Sequence, residues 1–436
     1  MLEKLQNHIK SQFPFLEKSR LLIAISGGLD SVVLAHLCNK LNLNFALAHC
    51  NFNLRGNESD ADEDFVVQFA EDLNVEVYIE SFETETYAKE NQFSTQMAAR
   101  ELRYKWFNEL MEQLNFDYLL TAHHTDDNLE TFLINLSRGT GLEGLTGIPE
   151  LNGNIVRPLL QFSRQEIEDY AKDNKLKWRE DSSNITTKYL RNKLRHDVIP
   201  VLKETNPQLL QNFNKTLSFL KDSNEIIEDS VAEIQKKVVT VEGDLIKLDI
   251  KKLFKLSNPK AYLYQLLKDF NFTEWDDVTN LLKAQSGKQV FSETHRLLKD
   301  RNNLILSENA SNDSIQIQVY EEENEIETPL GKITFEAIKH LNKTNQSTIF
   351  VDEEKLKYPL ILRSWEEGDN FQPFGMDGKK KLSKFFKDEK LSLIEKEEML
   401  VLCSGNNIVW IVGKRADDRY KVTEKTSQIL KIQLQK

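Results

Sequence analysis

An α/β fold, organised as a doubly wound parallel sheet, is predicted for the first two hundred residues of this 436-residue chain. Two observations predict it. Short apolar runs at 21–25, 45–49, 75–79 and 118–122 alternate with longer stretches of helical spacing, an order that implies right-handed crossovers between parallel strands. Ser26 and His123 directly follow two of those runs and His49 ends a third, which places them at the carboxyl ends of strands, where open α/β sheets bind ligands. A helical domain and a small α+β C-terminal domain are predicted to follow.

The first run, Leu21 to Ile25, is too short for a helix and is bounded by glycines, as a buried strand would be. Ser26-Gly27-Gly28 then makes a turn whose missing Cβ atoms let backbone approach a ligand. Asp30 or Ser31 is expected to cap a helix with Val33, Leu34 and Leu37 on its apolar stripe. A strand, a glycine turn and a helix N-terminus aim N–H groups at one point, which suits phosphate. The G-x-x-x-x-G-K-[ST] pattern is missing, so this is not the common ATPase loop.

At the second strand end stands His49-Cys50-Asn51-Phe52-Asn53-Leu54-Arg55-Gly56. These are ordinary loop residues, but beside a nucleotide loop they are expected to read an adenine edge through backbone groups, with Arg55 near a phosphate. Residues 62–73 carry Phe65, Val66, Phe69 and Ala70 at helical spacing, and 96–114 form a longer amphipathic helix. The fourth strand runs into Ala122-His123-His124-Thr125-Asp126-Asp127-Asn128-Leu129-Glu130-Thr131. A helix beginning near Thr125 puts carboxylates in its first turn, where the dipole favours them, with Asp126 at the expected N-cap. The paired histidines invite a zinc reading, but no third or fourth ligand accompanies them. His123 is therefore expected to support chemistry, and Asp127 and Glu130 to hold a cation, whether metal or amine. Arg138-Gly139-Thr140-Gly141-Leu142 is expected to be a mobile loop over the crevice. Ser163 and Glu166 form a capping box. Arg191 and Arg195 share a helix face, either solvated or bound to phosphate beside the site.

Length makes two or three domains the expectation, with boundaries placed at 1–207, 208–312 and 313–436. The net charge of −12 excludes a global basic coat, so any nucleic-acid partner must be held by local patches. Cys38, Cys50 and Cys403 form no C-x-x-C pair, which argues against disulfides, structural zinc or an iron–sulfur site and fits a reducing cytosol. Neither a signal core nor a membrane-length apolar run is present, so the chain is expected to be cytoplasmic, with no membrane partner.

Residues 208–305 carry helical patterns, such as Phe213, Leu217 and Leu220, with few strand signals. From about 314 the period switches to two. A lysine-rich, aromatic-interleaved stretch spans 371–387, and its Lys379, Lys380, Lys381 and Lys384 are expected to contact RNA.

The Ser26-Gly27-Gly28-Leu29-Asp30-Ser31 loop resembles the pyrophosphate loop of enzymes that split ATP into AMP and pyrophosphate. Further pieces narrow this: His49…Asn51…Leu54-Arg55-Gly56, Ala98-Ala99-Arg100-Glu101-Leu102-Arg103-Tyr104, His123-His124…Asp127…Glu130-Thr131, Arg138-Gly139-Thr140-Gly141, Arg157-Pro158-Leu159 and Asp181-Ser182-Ser183-Asn184…Arg191-Asn192-Lys193-Leu194-Arg195. Together they resemble the tRNA(Ile)-lysidine synthetase family over residues 20 to 202, and Arg363…Gly368-Asp369…Phe371…Pro373…Gly375…Lys381 extends the likeness to the third domain. The resemblance implies an adenine nucleotide alpha-hydrolase-like fold and a carbon–nitrogen ligase. Such an enzyme adenylates the C2 oxygen of the wobble cytidine in the isoleucine tRNA with anticodon CAU. L-Lysine then displaces AMP, and the lysidine so formed pairs with A rather than G.

The resemblance further implies that ATP is held by Ser26, Gly27, Gly28, Leu29, Asp30, Ser31, His49 and Arg55, with Asp30 on Mg2+. It implies that lysine is bound by Asp127 and Glu130, with catalysis by Asp30, His123, Arg103 and Arg195. tRNA would meet Lys379, Lys380, Lys381, Lys384 and Arg191, and a homodimer is the assembly to test. The rivals are a tRNA thiolase on the same loop, which needs sulfur-carrying cysteines, and a non-catalytic tRNA-binding relict.

Overall fold

A computed structural model describes residues 1–180, 190–309, 315–341, 347–376 and 378–435. Asp181, Ser182, Ser183 and Asn184 of the run noted above lie outside the described residues. The chain forms two compact units, Met1–Asp229 and Ser230–Lys436, where three segments are expected. Within the second unit, 238–306 and 319–434 each have a main core, and Leu298, Ile305 and Ile394 form a small buried cluster that joins them.

The first unit is built on six strands, β1 (Leu21–Ala24), β2 (Phe45–Asn51), β3 (Val77–Ser81), β4 (Tyr118–Leu120), β5 (Leu151–Asn152) and β6 (Ile155–Val156), in the order β3-β2-β1-β4-β6-β5. All neighbouring pairs are parallel except β5 with β6. The helices are α1 (Leu2–Gln12), α2 (Leu29–Lys40), α3 (Asn57–Leu73), α4 (Thr84–Glu90), α5 (Thr95–Leu114), α6 (Thr125–Arg138), α7 (Leu142–Leu145), α8 (Arg164–Asp173), α9 (Leu190–Lys193), α10 (Ile199–Thr205) and α11 (Leu209–Val238).

Alternation along β1 sorts its side chains between two cores. Leu21 and Ile23 face α1, α2 and α8 through Leu5, Val33, Leu37 and Ile167, whereas Leu22 faces α5 through Trp106, Phe107 and Met111. Burial on both faces explains why these strands are runs rather than alternations. Each buried Leu contributes about 2 kcal/mol, and Leu22→Ala is expected to cost about 3 kcal/mol because neither helix layer can collapse onto the gap.

Two helix caps differ from expectation. Gly28, not Asp30 or Ser31, is the N-cap of α2. Ser31 instead ties the turn from within: its hydroxyl donates to the Gly28 carbonyl at 3.0 Å and accepts from the Ser26 N–H at 3.2 Å. His124, not Asp126, caps α6. Its Nδ1 accepts from the Asp127 N–H while the Asp127 carboxylate accepts from the His124 N–H, a reciprocal capping box. Asp126 turns away to the backbone N–H of Arg164 and to Lys203. The Ser163–Glu166 capping box forms as expected. The glycine-rich stretch after α6 leads into α7, which is pinned to α6 where Asn135 donates to the Gly144 carbonyl and the Ile148 N–H donates to the Asn128 side chain.

In the second unit the expected helices appear at Pro259–Leu267 and Trp275–Asn280, beside an unforeseen five-stranded antiparallel sheet, β7 (Val239–Glu242), β8 (Leu245–Asp249), β9 (Gln289–Phe291), β10 (His295–Asp300) and β11 (Asn303–Glu308), ordered β7-β8-β11-β10-β9. Its strands escape a periodicity reading because polar residues share the buried positions: Arg296 and Lys299 of β10 are both buried. The C-terminal segment holds a five-stranded and a four-stranded sheet around Trp410, Leu402 and Ile432. Lys380–Lys381 pairs with Asn370–Phe371 and leads into the helix Leu382–Asp388. Among the described residues no helix is long and apolar enough to cross a membrane.

Candidate active site

A cleft of about 1170 Å³ opens at the carboxyl ends of β1, β2 and β4, lined among others by Ser26, Gly28, Asp30, His49, Arg55, Arg103, His123, Asp127 and Arg195. Three strand ends and two helix starts thus meet in one place, which the order β2-β1-β4 makes unavoidable.

The floor is the Ser26–Ser31 turn. Gly27 has φ +80, and a Cβ there would stand 3.3 Å from the Phe65 ring, so the position needs glycine on both counts. The Gly28 N–H and the Ser31 hydroxyl both lie within 3.3 Å of the Ser26 hydroxyl, closing a compact turn under the start of α2. Asp30 projects from the first turn of that helix. Its nearest side-chain nitrogens are Arg164 Nη1 at 3.5 Å and His124 Nε2 at 3.7 Å. Burial, opposed by His124 and Arg164, pushes its carboxyl above the ordinary range. Asp30 Oδ1 is buried with no hydrogen-bond partner.

That orphaned oxygen is the observation that bears on Mg2+. Among the described residues no group of three or more His, Cys, Asp or Glu side chains could hold a metal by itself. Mg2+, however, is commonly held by one or two carboxylates together with substrate phosphates, and Asp30 at the helix start beside the Ser26–Ser31 turn fits that donor set.

His49 is buried, and its Nδ1–H donates to the Ile25 carbonyl at 2.9 Å, which fixes the tautomer; burial lowers its pKa. It therefore serves to join β2 to the end of β1 as well as to line the cleft. Arg55 reaches Asp62 Oδ2 at 2.8 Å. Arg103, on α5, lays its guanidinium 5.1 Å over the Phe52 ring.

His123 lies at the end of β4, with Nδ1 3.0 Å from the Thr121 hydroxyl. Burial, opposed by Asp127 and reinforced by Arg157 and Arg191, lowers its pKa to about 4. The imidazole is consequently neutral across the physiological range.

Asp127 and Glu130 do come together, and Arg195 joins them. Arg195 donates to Glu130 Oε1 at 2.6 Å, Glu130 Oε2 at 2.9 Å and Asp127 Oδ1 at 2.8 Å. Arg191 adds an ion pair to Glu130 at 3.4 Å and a hydrogen bond to the Thr131 hydroxyl at 2.7 Å, so it is drawn into this cluster. Glu130 is only 1 % exposed and stands behind Arg195 rather than on the cleft wall. Burial, opposed by Arg195, raises its carboxyl above the ordinary range.

Lys379, Lys380, Lys381 and Lys384 belong to the second unit. Lys379, Lys381 and Lys384 are exposed, while Lys380 pairs with Asp388 at 2.7 Å and stands 5.5 Å over the Phe385 ring.

Four functional candidates were not foreseen. His124 is 1 % exposed and faces Asp30 and Asp127 at once, a role that the adjacent His123 obscured. Arg164, Asp62 and Arg179 reach the cleft from distant segments, and no local pattern marks them. The glycine-rich stretch at 138–142 does not line the cleft, contrary to expectation.

Residues 1–202 match the PP-loop domain family, 241–309 the TilS substrate binding domain and 360–434 the TilS substrate C-terminal domain. The chain is 40 % identical to a tRNA(Ile)-lysidine synthase of Parabacteroides distasonis, covering 99 % of each chain. It is 38 % identical to that of Bacteroides thetaiotaomicron over 98 % of each, and 32 % identical to that of Caldanaerobacter subterraneus over 100 % of this chain and 98 % of the relative.

Proposed function

We propose how the cleft works from a plain premise: the chain belongs to the tRNA(Ile)-lysidine synthase family. It is a ligase that uses ATP to form lysidine on tRNA. As the finer substrates we propose L-lysine and the isoleucine tRNA bearing CAU, with C2 of the wobble cytidine as the reacting carbon.

In the first step the C2 oxygen bonds to the α-phosphorus of ATP and the bond to the β-phosphate bridge breaks, releasing pyrophosphate. The Ser26-Gly27-Gly28 turn and the start of α2 receive the departing phosphates, because the first N–H groups of a helix have no intrahelical acceptor and its dipole favours an anion there. Asp30 would hold Mg2+, which when bound offsets charge on the leaving pyrophosphate. Arg103 contacts the activated base or its phosphate.

In the second step the lysine amine bonds to C2, the C2–O bond breaks and AMP departs. The amine must be neutral to attack. Asp127 receives it on the cleft wall, and Glu130 serves the same site from beneath through Arg195. An incoming amine competes with Arg195 for the Asp127 carboxylate and turns that guanidinium toward the adenylated base. His123, neutral and at the cleft wall, takes the proton released. Arg191 and the exposed lysines of 379–384 hold tRNA phosphates. A cytoplasmic setting and a homodimer belong to the same proposal, the latter checked by sedimentation.

The observation that carries the reading is the convergence of the Ser26–Ser31 turn, the unpartnered Asp30 oxygen, His123 and Asp127 on one cleft. A thiolase is disfavoured: Cys38 and Cys403 are buried, and burial pushes the Cys50 thiol to about 12, far from a reactive thiolate. The test incubates the protein with ATP, Mg2+, labelled lysine and the CAU isoleucine tRNA. Label in the tRNA, with release of AMP and pyrophosphate, is expected; its absence beside an active control would overturn the proposal.

A further inference from the structure

Asp62, on the second turn of α3, is 7 % exposed and takes one guanidinium on each oxygen. Arg55 Nη2 donates to Oδ2 at 2.8 Å and Arg179 Nε donates to Oδ1 at 2.8 Å. The two arginines come from segments far apart in the chain, Arg55 from the loop after β2 and Arg179 from the segment after α8. Arg179 is also bound to the nucleotide turn, its N–H donating to the Gly27 carbonyl at 2.9 Å. Its Cγ lies 3.8 Å from where a Cβ on Gly27 would stand. All three residues line the same cleft as Ser26 and Asp30, and the side chains of Arg55 and Arg179 stay 29 % and 41 % exposed.

Asp62 leaves part of the charge of the two guanidiniums uncompensated, since Glu58 meets Arg55 only at 3.9 Å and is itself 56 % exposed, and partial burial reduces the screening of the remainder. Arginine side chains are long and rich in rotamers, so fixing two of them before an anion arrives lowers the ordering cost at binding. A plain structural staple would satisfy Asp62 with no need for both cations to border the nucleotide turn.

We propose that Asp62 is a positioning residue for ATP: it sets Arg55 and Arg179 against the Ser26-Gly27-Gly28 turn so that both guanidiniums meet the triphosphate. The proposal rests on the reading of that turn as the phosphate site. The two fail separately: if Asp30→Asn leaves adenylation intact, the site reading falls, whatever Asp62 does.

The test measures tRNA-dependent exchange of pyrophosphate into ATP without lysine, which reads the activation step alone, together with the KM for lysine in the full reaction. Asp62→Asn is expected to raise the ATP KM about tenfold with the lysine KM unchanged, and Asp62→Glu to recover most of that loss. Arg179→Met is expected to raise the ATP KM similarly. In an Arg55→Met/Arg179→Met background, Asp62→Asn should then add less than about twofold, because Asp62 acts through those two groups. An ATP KM that Asp62→Asn leaves unchanged, an equal rise in both KM values, or full additivity in the double background would each overturn the proposal. Should Asp62→Asn fail to fold, Arg179→Met decides: an unchanged ATP KM overturns it.

Discussion

The cleft of the first unit and the lysine-rich segment of the second carry charge in opposite ways. In the cleft, Asp30, Asp62, Glu130 and His124 are largely withdrawn from water, and each is met by named partners at fixed distances. In the segment, Lys379, Lys381 and Lys384 stand in solvent, and Lys380 faces the Asp388 carboxylate. Withdrawal from water makes each charge individually consequential, since its desolvation must be matched by a partner or by a ligand. Exposed charges are screened and act by number. Substitutions should therefore produce large, separable defects in the first region and small, additive ones in the second.

The largest effect is expected at Asp30. Asp30→Asn should lower the rate of tRNA adenylation about a thousandfold in the pyrophosphate-exchange assay. The same change should raise the melting temperature by about 2 °C. The folded chain holds the Asp30 proton to higher pH than the unfolded chain does, so ionisation at neutral pH costs stability, and asparagine removes that cost. A stabilised but inactive protein would mark Asp30 as functional; an active one would break the contrast.

Next is His123. His123→Gln should slow lysine transfer to pre-adenylated tRNA about a hundredfold while adenylation persists. Its folded pKa of about 4 lies below the ordinary 6.5, so between those values the unfolded chain binds more protons and stability falls as pH falls. The variant should lose less stability than the parent between pH 7 and pH 5 in urea titrations. An equal loss would place the origin of the acid sensitivity elsewhere.

Glu130→Gln should raise the KM for lysine about fivefold with little change in adenylation, because it loosens Arg195 behind Asp127. In the second region, replacing Lys379, Lys381 and Lys384 together by Ala should weaken tRNA binding about tenfold and reduce the slope of log affinity against log salt by about 2. An unchanged slope would show that the run is plain surface. The smallest effect is expected from Lys380→Ala, which removes a cation already facing Asp388 and should move the slope less than Lys381→Ala does.

The strands of the first sheet were legible because burial on both faces leaves short apolar runs, as at Leu21, Leu22 and Ile23. The Ser26–Ser31 turn was legible because its glycines obey local backbone rules, and His123 was legible because it follows a strand directly. The sheet of 239–308 was not, since Arg296 and Lys299 interrupt its apolar pattern yet are buried. The start of α6 near Thr125 was legible, but its cap was assigned to Asp126 because a histidine caps it, with Asp127 reciprocating, where asparagine or aspartate is the usual signal.

Local spacing along the chain was thus enough to identify the α/β sheet, the glycine turn after β1 and the carboxylates after β4, since turns and periodicities depend on residues a few positions apart. The choice of partners was settled only by folding. Arg195 reaches Asp127 and Glu130 across more than sixty residues, and Arg179 reaches Asp62 across 117. A buried carboxylate needs a compensating charge, but any of several arginines could satisfy that need in principle. The one that does is the one that long-range packing brings within hydrogen-bond distance, and no sequence period encodes it.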